Sequence, residues 1–536
     1  MRHPRWFTSP FGLLFFSYLA LQPVLQADTL FGAPPDQLGK VNFPTSCTAA
    51  VQPTIEKGLA LLHSFQYKES EQRFTDAATR DPKCAIAHWG KAMALFHQLW
   101  DFPDAKTLKE GRKDVEKAQK IHTANAREQG FINAAAAFFQ NNSKMTHIDR
   151  SNAYSSMLER LYRENPDDVE FGSFYTLSLV SLAEEDHDNE IADRQKAISI
   201  LDPLLQQHPD HPGVAHYLIH ATDRPEFAAQ GLEAARRYAA IAPDSAHALH
   251  MPSHIFVRLG LWQDSITSNI AANASGARAA EMHLAESHYQ THAMVFLSYS
   301  YLQSGQEAKA REIIEHTDSV VGANDEVKAE YRAYLAARTA LELHRWKEAA
   351  ALPIPATRKD WLDTIYWARA IGAARIGDVA GAESDVKELS QLVADREKRA
   401  RKEGYGVSNE KATDLREAEA WLAFAIGKSD EALQELRAAP DRQDKDGGDS
   451  VGIPAREMFA DMLLELKRPA EAIAEYKTAL KNSPNRFDGL LGAARSAQAT
   501  GDAGGAQSYY AKLAKICGAG ADRPELAEAK TYLARK

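Results

Sequence analysis

The stretch AIAEYKTALKNSP, Ala472 to Pro484, places a small residue, an aromatic four positions on, a second small residue three further and a proline five further. Residues at i, i+4 and i+7 share one stripe of an α-helix. The small side chain lets a second helix come close, and the aromatic fills the space beside it. Proline then stops the helix, because its ring has no N–H and clashes with the preceding turn. AQSYYAKL, Ala506 to Leu513, repeats the first three positions 34 residues later, and SEQRFTDAATRDP, Ser70 to Pro82, carries all four. Pro209 and Pro243 are again 34 apart.

Looser copies fill the space between. YSSMLERLYRENPDD ends a helix at Pro166. SYSYLQSGQEAKAREII, LAARTALELHRWKEAAAL, ARAIGAARIGDVAGAESDVKEL and LAFAIGKSDEALQELRAA each read as helix, short Gly or polar turn, helix. Self-similarity at this period is the mark of a repeat array. The 34-residue helix–turn–helix unit resembles the tetratricopeptide repeat. That resemblance implies an all-α solenoid of helical hairpins. The chain is also similar to exported bacterial tetratricopeptide-repeat proteins, through Val41–Phe74, Asp81–Ala94, His216–Glu226, His247–Trp262 and Pro484–Ala497. The group supports fold and export, and no particular reaction.

Composition agrees. With 536 residues, 44% hydrophobic and 25% charged, the chain suits a long soluble array. A net charge of −10 without a basic stripe argues against a nucleic-acid partner. Arg2 and Arg5 precede the apolar run FGLLFFSYLALQPVL, and LQA before Asp28 offers a cleavage site. Residues 1–27 therefore read as a signal peptide, and the mature chain as periplasmic or secreted, with no membrane span left; the alternative reading of the segment is an uncleaved membrane anchor. An oxidising compartment lets Cys47 pair with Cys84, leaving Cys517 single. The expected organisation is a solenoid over 28–438, a polar Gly-rich loop over 439–457, and a final repeat pair over 458–536. A second polar stretch, DREKRARKEGYGVSNEKATD, reads as a helix extension that then loops out.

Function is carried by histidine. H-x-x-x-H occurs at His216/His220, His250/His254 and His288/His292, and residues 208–292 hold ten of the nineteen histidines. In the frame set by Pro209 and Pro243, His216 and His250 take position 5, His220 and His254 position 9, His247 position 2 and Asp223 position 12. One four-residue insertion would bring the third pair to the same positions. Tetratricopeptide resemblance implies that these positions line the concave groove, between about 212 and 295. Imidazoles on facing helices, packed roughly 8–10 Å apart, can meet on one ion with bonds of about 2.0–2.1 Å. An imidazole-rich, thiolate-free set suits copper, zinc, nickel or iron. Asp223 reads as a ligand or as the acceptor that fixes a ring tautomer. Six histidines exceed one tetrahedral site. Arg258, on the same face, reads as holding an anionic ligand or pairing with an acidic neighbour. Glu281 and Glu286 are weaker candidates.

Other features are expected to be structural. His208, His211 and His283 fall outside the ladder and read as loop or surface residues. His63, His88, His97 and His344 read as groups bonded to a neighbour, and Phe65, Tyr67, Trp89 and Trp100 as inter-helix packing. Trp262 is expected to pack in a turn. H-E-x-x-H, the P-loop and the dinucleotide-binding glycine pattern are absent. The expectation is an exported solenoid holding one or more transition-metal ions, as a redox or hydrolytic enzyme or without catalysis. The alternative is a scaffold binding a protein or peptide in the groove.

Overall fold

A computed structural model describes residues 37–535, apart from 101, 142–143, 186–188, 285–286, 357–361, 404–409 and 519. The expected signal segment, Glu286 and the loop after Glu403 lie outside the described residues. Every regular element among the described residues is helical, and successive helices pair into hairpins, from Gln52–His63 with Tyr67–Arg80 to Phe487–Ala499 with Ala503–Ile516. None is long and apolar enough to cross a membrane.

Ten turns between helices among the described residues share one backbone device. Phe65, Gly260, His283, Gly305, His344, Gly377, Gly427, Gly447, Lys467 and Gly501 all have positive φ. At each, the next amide reaches back five residues, as in Gln66 N–H to the Leu61 carbonyl at 2.9 Å and Asp502 N–H to the Ala497 carbonyl at 2.9 Å. This closure satisfies carbonyls that the helix end leaves unpaired, and its left-handed residue favours glycine. The period in the sequence is thus the period of a left-handed turn.

The small-and-aromatic pattern is a physical interlock. Phe74, Ala77, Tyr476, Ala472, Tyr510 and Ala506 are fully buried. A Cβ on Gly90 would come within 2.3 Å of the Phe74 ring, and one on Gly492 within 2.2 Å of the Tyr476 ring. The aromatic therefore lies flat against a bare backbone of the next hairpin. Cys47 and Cys84 are joined by a disulfide across the first hairpin, with their Cα atoms 4.8 Å apart.

Two expectations are corrected. The helix Ser429–Lys445 continues through Ala439 and Pro440, so the loop is 446–454, not 439–457, and the helix Ala455–Glu465 follows. Pro440 leaves one carbonyl of the preceding turn without its amide. The buried face of Leu436, Ala439 and Pro440 outweighs that loss. The array is also wound more tightly than a simple nearest-neighbour stack. Lys40 meets Asp210 at 2.6 Å, the Tyr289 hydroxyl donates to the Phe65 carbonyl at 2.7 Å, and Trp262 Nε1 donates to the Asn485 carbonyl at 2.9 Å. Arg486, fully buried, bridges Glu342 and Glu457 at 2.9 and 2.8 Å. Contacts between groups as far as 224 residues apart in sequence thus tie distant hairpins together.

Candidate metal centre

Three short segments carry the histidines inward. The helix Pro212–Thr222 starts at a proline, which needs no N–H there, and His211 caps it by accepting the Val214 amide at 3.2 Å. The next inner helix is split into Ala246–His250 and Pro252–Arg258, because Pro252 interrupts the hydrogen-bond ladder. The helix His288–Gln303 supplies the last pair.

They deliver two adjoining clusters. In the first, His216, His220 and His247 present one ring nitrogen each within 4.8 Å of the others; in the second, His250, His254 and His292 do the same. The clusters touch, with ring centroids 6.4 Å apart for His247 and His250 and 6.5 Å for His220 and His254. His216, His220, His247 and His250 are buried, His254 is half-buried and His292 is exposed. The expected open groove is therefore largely enclosed.

Hydrogen bonds fix the tautomers. His216 Nδ1 lies 2.6 Å from the His63 carbonyl, which can only accept, so the proton is on Nδ1. Burial pulls this imidazole down to about 3, so it is neutral and its Nε2 is a bare lone pair. That single lone pair faces both His220 Nε2 and His247 Nε2 at 3.0 Å. His250 Nδ1 lies 2.7 Å from Asn269 Oδ1, whose amide nitrogen already donates to the Ser265 carbonyl. His254 Nδ1 lies 2.7 Å from the Asp223 carboxylate. Both rings therefore carry Nδ1–H, and their Nε2 atoms face each other at 3.0 Å. The buried, neutral His250 therefore turns an Nε2 lone pair toward His254. Burial holds His220, His247 and His250 well below the ordinary histidine value as well, with neighbouring imidazoles adding to it.

Asp223 and Arg258 act behind the second cluster. Burial would raise the Asp223 carboxyl, but Arg258 and His254 outweigh it and hold it well below the usual range. Arg258 Nε donates to Asp223 at 2.9 Å, and its other nitrogens donate to the Gly447 and Gly448 carbonyls at 2.7 and 3.0 Å. Of the two roles expected for Arg258, its contacts are those of the ion pair and not of an anion site. Asp223 orients His254 and is not in either cluster. His288 is in neither cluster: it is exposed at the first turn of its helix and packs, tilted, against Tyr289 with ring centroids 3.9 Å apart. The four-residue insertion does not restore the third pair, because the helix begins at His288 itself.

Sequence reasoning misplaced one further residue. His211 is buried, not on the surface, and with His63 it grips the fully buried Glu170: His63 Nε2 at 2.8 Å and His211 Nε2 at 3.0 Å. Burial would raise the Glu170 carboxyl; the two imidazoles override it and hold it far below the usual range. His211 Nδ1 is used by the Val214 amide and His63 Nδ1 by the Tyr217 hydroxyl at 2.9 Å. These three groups are satisfied among themselves and support the first cluster through the His63 carbonyl. Gly448–Gly452, GDSVG, has the G-x-S-x-G spacing of a nucleophile elbow, but it lies in the 446–454 loop between two helices, without the strand that motif requires.

No family model and no curated protein matches this chain. Solved structures similar to it include yeast Tom70, at 11% identity and TM-score 0.33 over 91% of this chain and 95% of that one. A human IFIT1 dimer with m7Gppp-AAAA follows at 12% and 0.36, over 84% and 95%, and the APC/C hetero-tetramer Cut9–Hcn1 at 11% and 0.33, over 90% and 89%.

Proposed function

We propose that this protein binds two transition-metal ions side by side, one in each three-histidine cluster. The observation that supports this best is the His216 lone pair. Its Nδ1–H is committed to the His63 carbonyl, and its Nε2 then faces His220 Nε2 and His247 Nε2, each at 3.0 Å. A cation held there would draw the three rings into one ligand set. The same outer arrangement, an acceptor on the far nitrogen, orients and strengthens metal-bound imidazoles generally. Copper, zinc and iron all suit the donor set. Three protein ligands leave a coordination position open, which is the form a redox or hydrolytic site takes. The Cys47–Cys84 disulfide supports an exported, oxidising location for the chain.

The alternative is a scaffold that takes a protein or peptide in its interior without metal. Metal content separates them. The untagged protein, reloaded with copper, zinc or iron, is measured by plasma mass spectrometry beside a variant with His216, His220, His250 and His254 changed to Ala. Close to two equivalents in the parent and none in a still-helical variant is the expected result. No metal in either leaves the scaffold.

A further inference from the structure

A cavity of about 150 Å³ opens in the C-terminal half, and none of its walls belongs to either histidine cluster. Leu341, Ile371, Met458 and Leu464, on the helices Asp325–Glu342, Leu362–Ile376 and Ala455–Glu465, supply much of its apolar lining. Five polar side chains line it too: His344, Arg375, Asp461, Glu465 and Arg495.

The two cations are already committed. Arg375 makes a two-point pair with Glu465, one contact of which is 2.6 Å. Arg495 pairs with Glu528 at 2.6 Å. An incoming anion would have to break one of these pairs. Trp346 and Trp421 also face the cavity, but the Arg375 guanidinium lies 4.9 and 4.3 Å from their ring centres, and His344 stacks on Trp346 at 4.8 Å. That leaves little aromatic face for a second cation.

Asp461 and His344 have capacity left. The Tyr476 hydroxyl donates to Asp461 Oδ1. Asp461 Oδ2 accepts no hydrogen bond among the described residues, and His344 Nε2, 3.8 Å from it, is too far to make one. A donor set between these two atoms reaches both. Loss of solvent, with Asp488 and Glu465 adding to it, raises the Asp461 carboxyl, and a positive charge at Oδ2 would offset that.

We infer that this cavity binds a small primary ammonium with an apolar tail, its N–H groups on Asp461 and His344 and its tail among Leu341, Ile371, Met458 and Leu464. An ammonium carries three donors, enough for both acceptors, and its bond to a carboxylate is charge-assisted. A cavity of this volume takes about six carbon atoms. The inference is independent of the metal reading.

The test is isothermal titration calorimetry of the full chain with n-pentylammonium. Of two controls, n-pentanol has the same tail without the charge, and tetramethylammonium has the charge without an N–H. Expected are saturable one-site binding of n-pentylammonium and at least tenfold lower affinity for both controls. Asp461→Asn keeps an oxygen for Tyr476 and is expected to bind n-pentylammonium at least tenfold more weakly. Leu464→Trp fills the space for the tail and is expected to do the same. No saturable binding of n-pentylammonium overturns the inference. So does equal affinity for either control, or undiminished binding in either variant once circular dichroism shows it folded. Should both variants fail to fold, the comparison of the three probes still decides.

Discussion

The histidines differ by what lies behind them. His216, His250 and His254 each have an oxygen acceptor on Nδ1, and those acceptors decide where the lone pairs point. Removing one acts on a single cluster. Asp223→Ala is expected to weaken the second site about 10–100-fold and leave the first intact. A competition titration against a chromophoric chelator would show one tight and one weakened equivalent, and two unchanged sites would contradict the role given to Asp223. The buried rings of His216, His220, His247 and His250 set the pH response of the metal-free protein. Their folded values lie below the unfolded histidine value of 6.5, and for His216 the value is about 3. The unfolded chain therefore takes up protons first. Stability is complete above pH 6.5 and falls as pH drops from 6.5 toward 3, by about 1.4 kcal/mol per pH unit for each such histidine. Urea midpoints from pH 7.5 to 4.5 should fall steadily, and metal should flatten the upper part of that curve. The first two H-x-x-x-H pairs, and His292 of the third, were legible as neighbours because spacing of four marks one helix face. Their tautomers were not, since the acceptors come from residues as distant as the His63 carbonyl.

The element is the hairpin, and its two recurring demands are a bare backbone under the aromatic and a left-handed turn. Gly492→Ala pushes a Cβ into the Tyr476 ring and is expected to lower stability by about 1–3 kcal/mol. Lys467 is exposed and holds φ +61 at its turn, so Lys467→Gly is expected to raise stability by up to about 1 kcal/mol. Thermal unfolding of both variants checks the pair, and the opposite signs are the point. Helix existence and turn spacing were legible from small residues, aromatics and glycines. The position of the polar loop was not. Gly447 and Gly448 mark a real break, but Ala439 and Pro440 read as loop only because a proline usually ends a helix, and here a buried face holds the helix together.

At the scale of the molecule, tight winding turns a groove into an interior. The 446–454 loop contributes through Gly447 and Gly448, whose carbonyls hold Arg258 and through it Asp223 and His254. Nothing in the local sequence announces a partner nearly 190 residues away, so the fold class was legible and the closure was not. At the other end, the Cys47–Cys84 bond closes a separation of 37 residues. Reduction is expected to lower stability by about 2–4 kcal/mol, read as a shift in the urea midpoint with and without reductant. The central claim concerns two ions held by six imidazoles. Crystals of the metal-loaded protein, measured on either side of the metal absorption edge, give an anomalous map that tests it directly. Two peaks are predicted, one among the Nε2 atoms of each cluster at about 2.0–2.1 Å from its ligands. A fully loaded protein with its peaks elsewhere, or a map with none, would contradict the account.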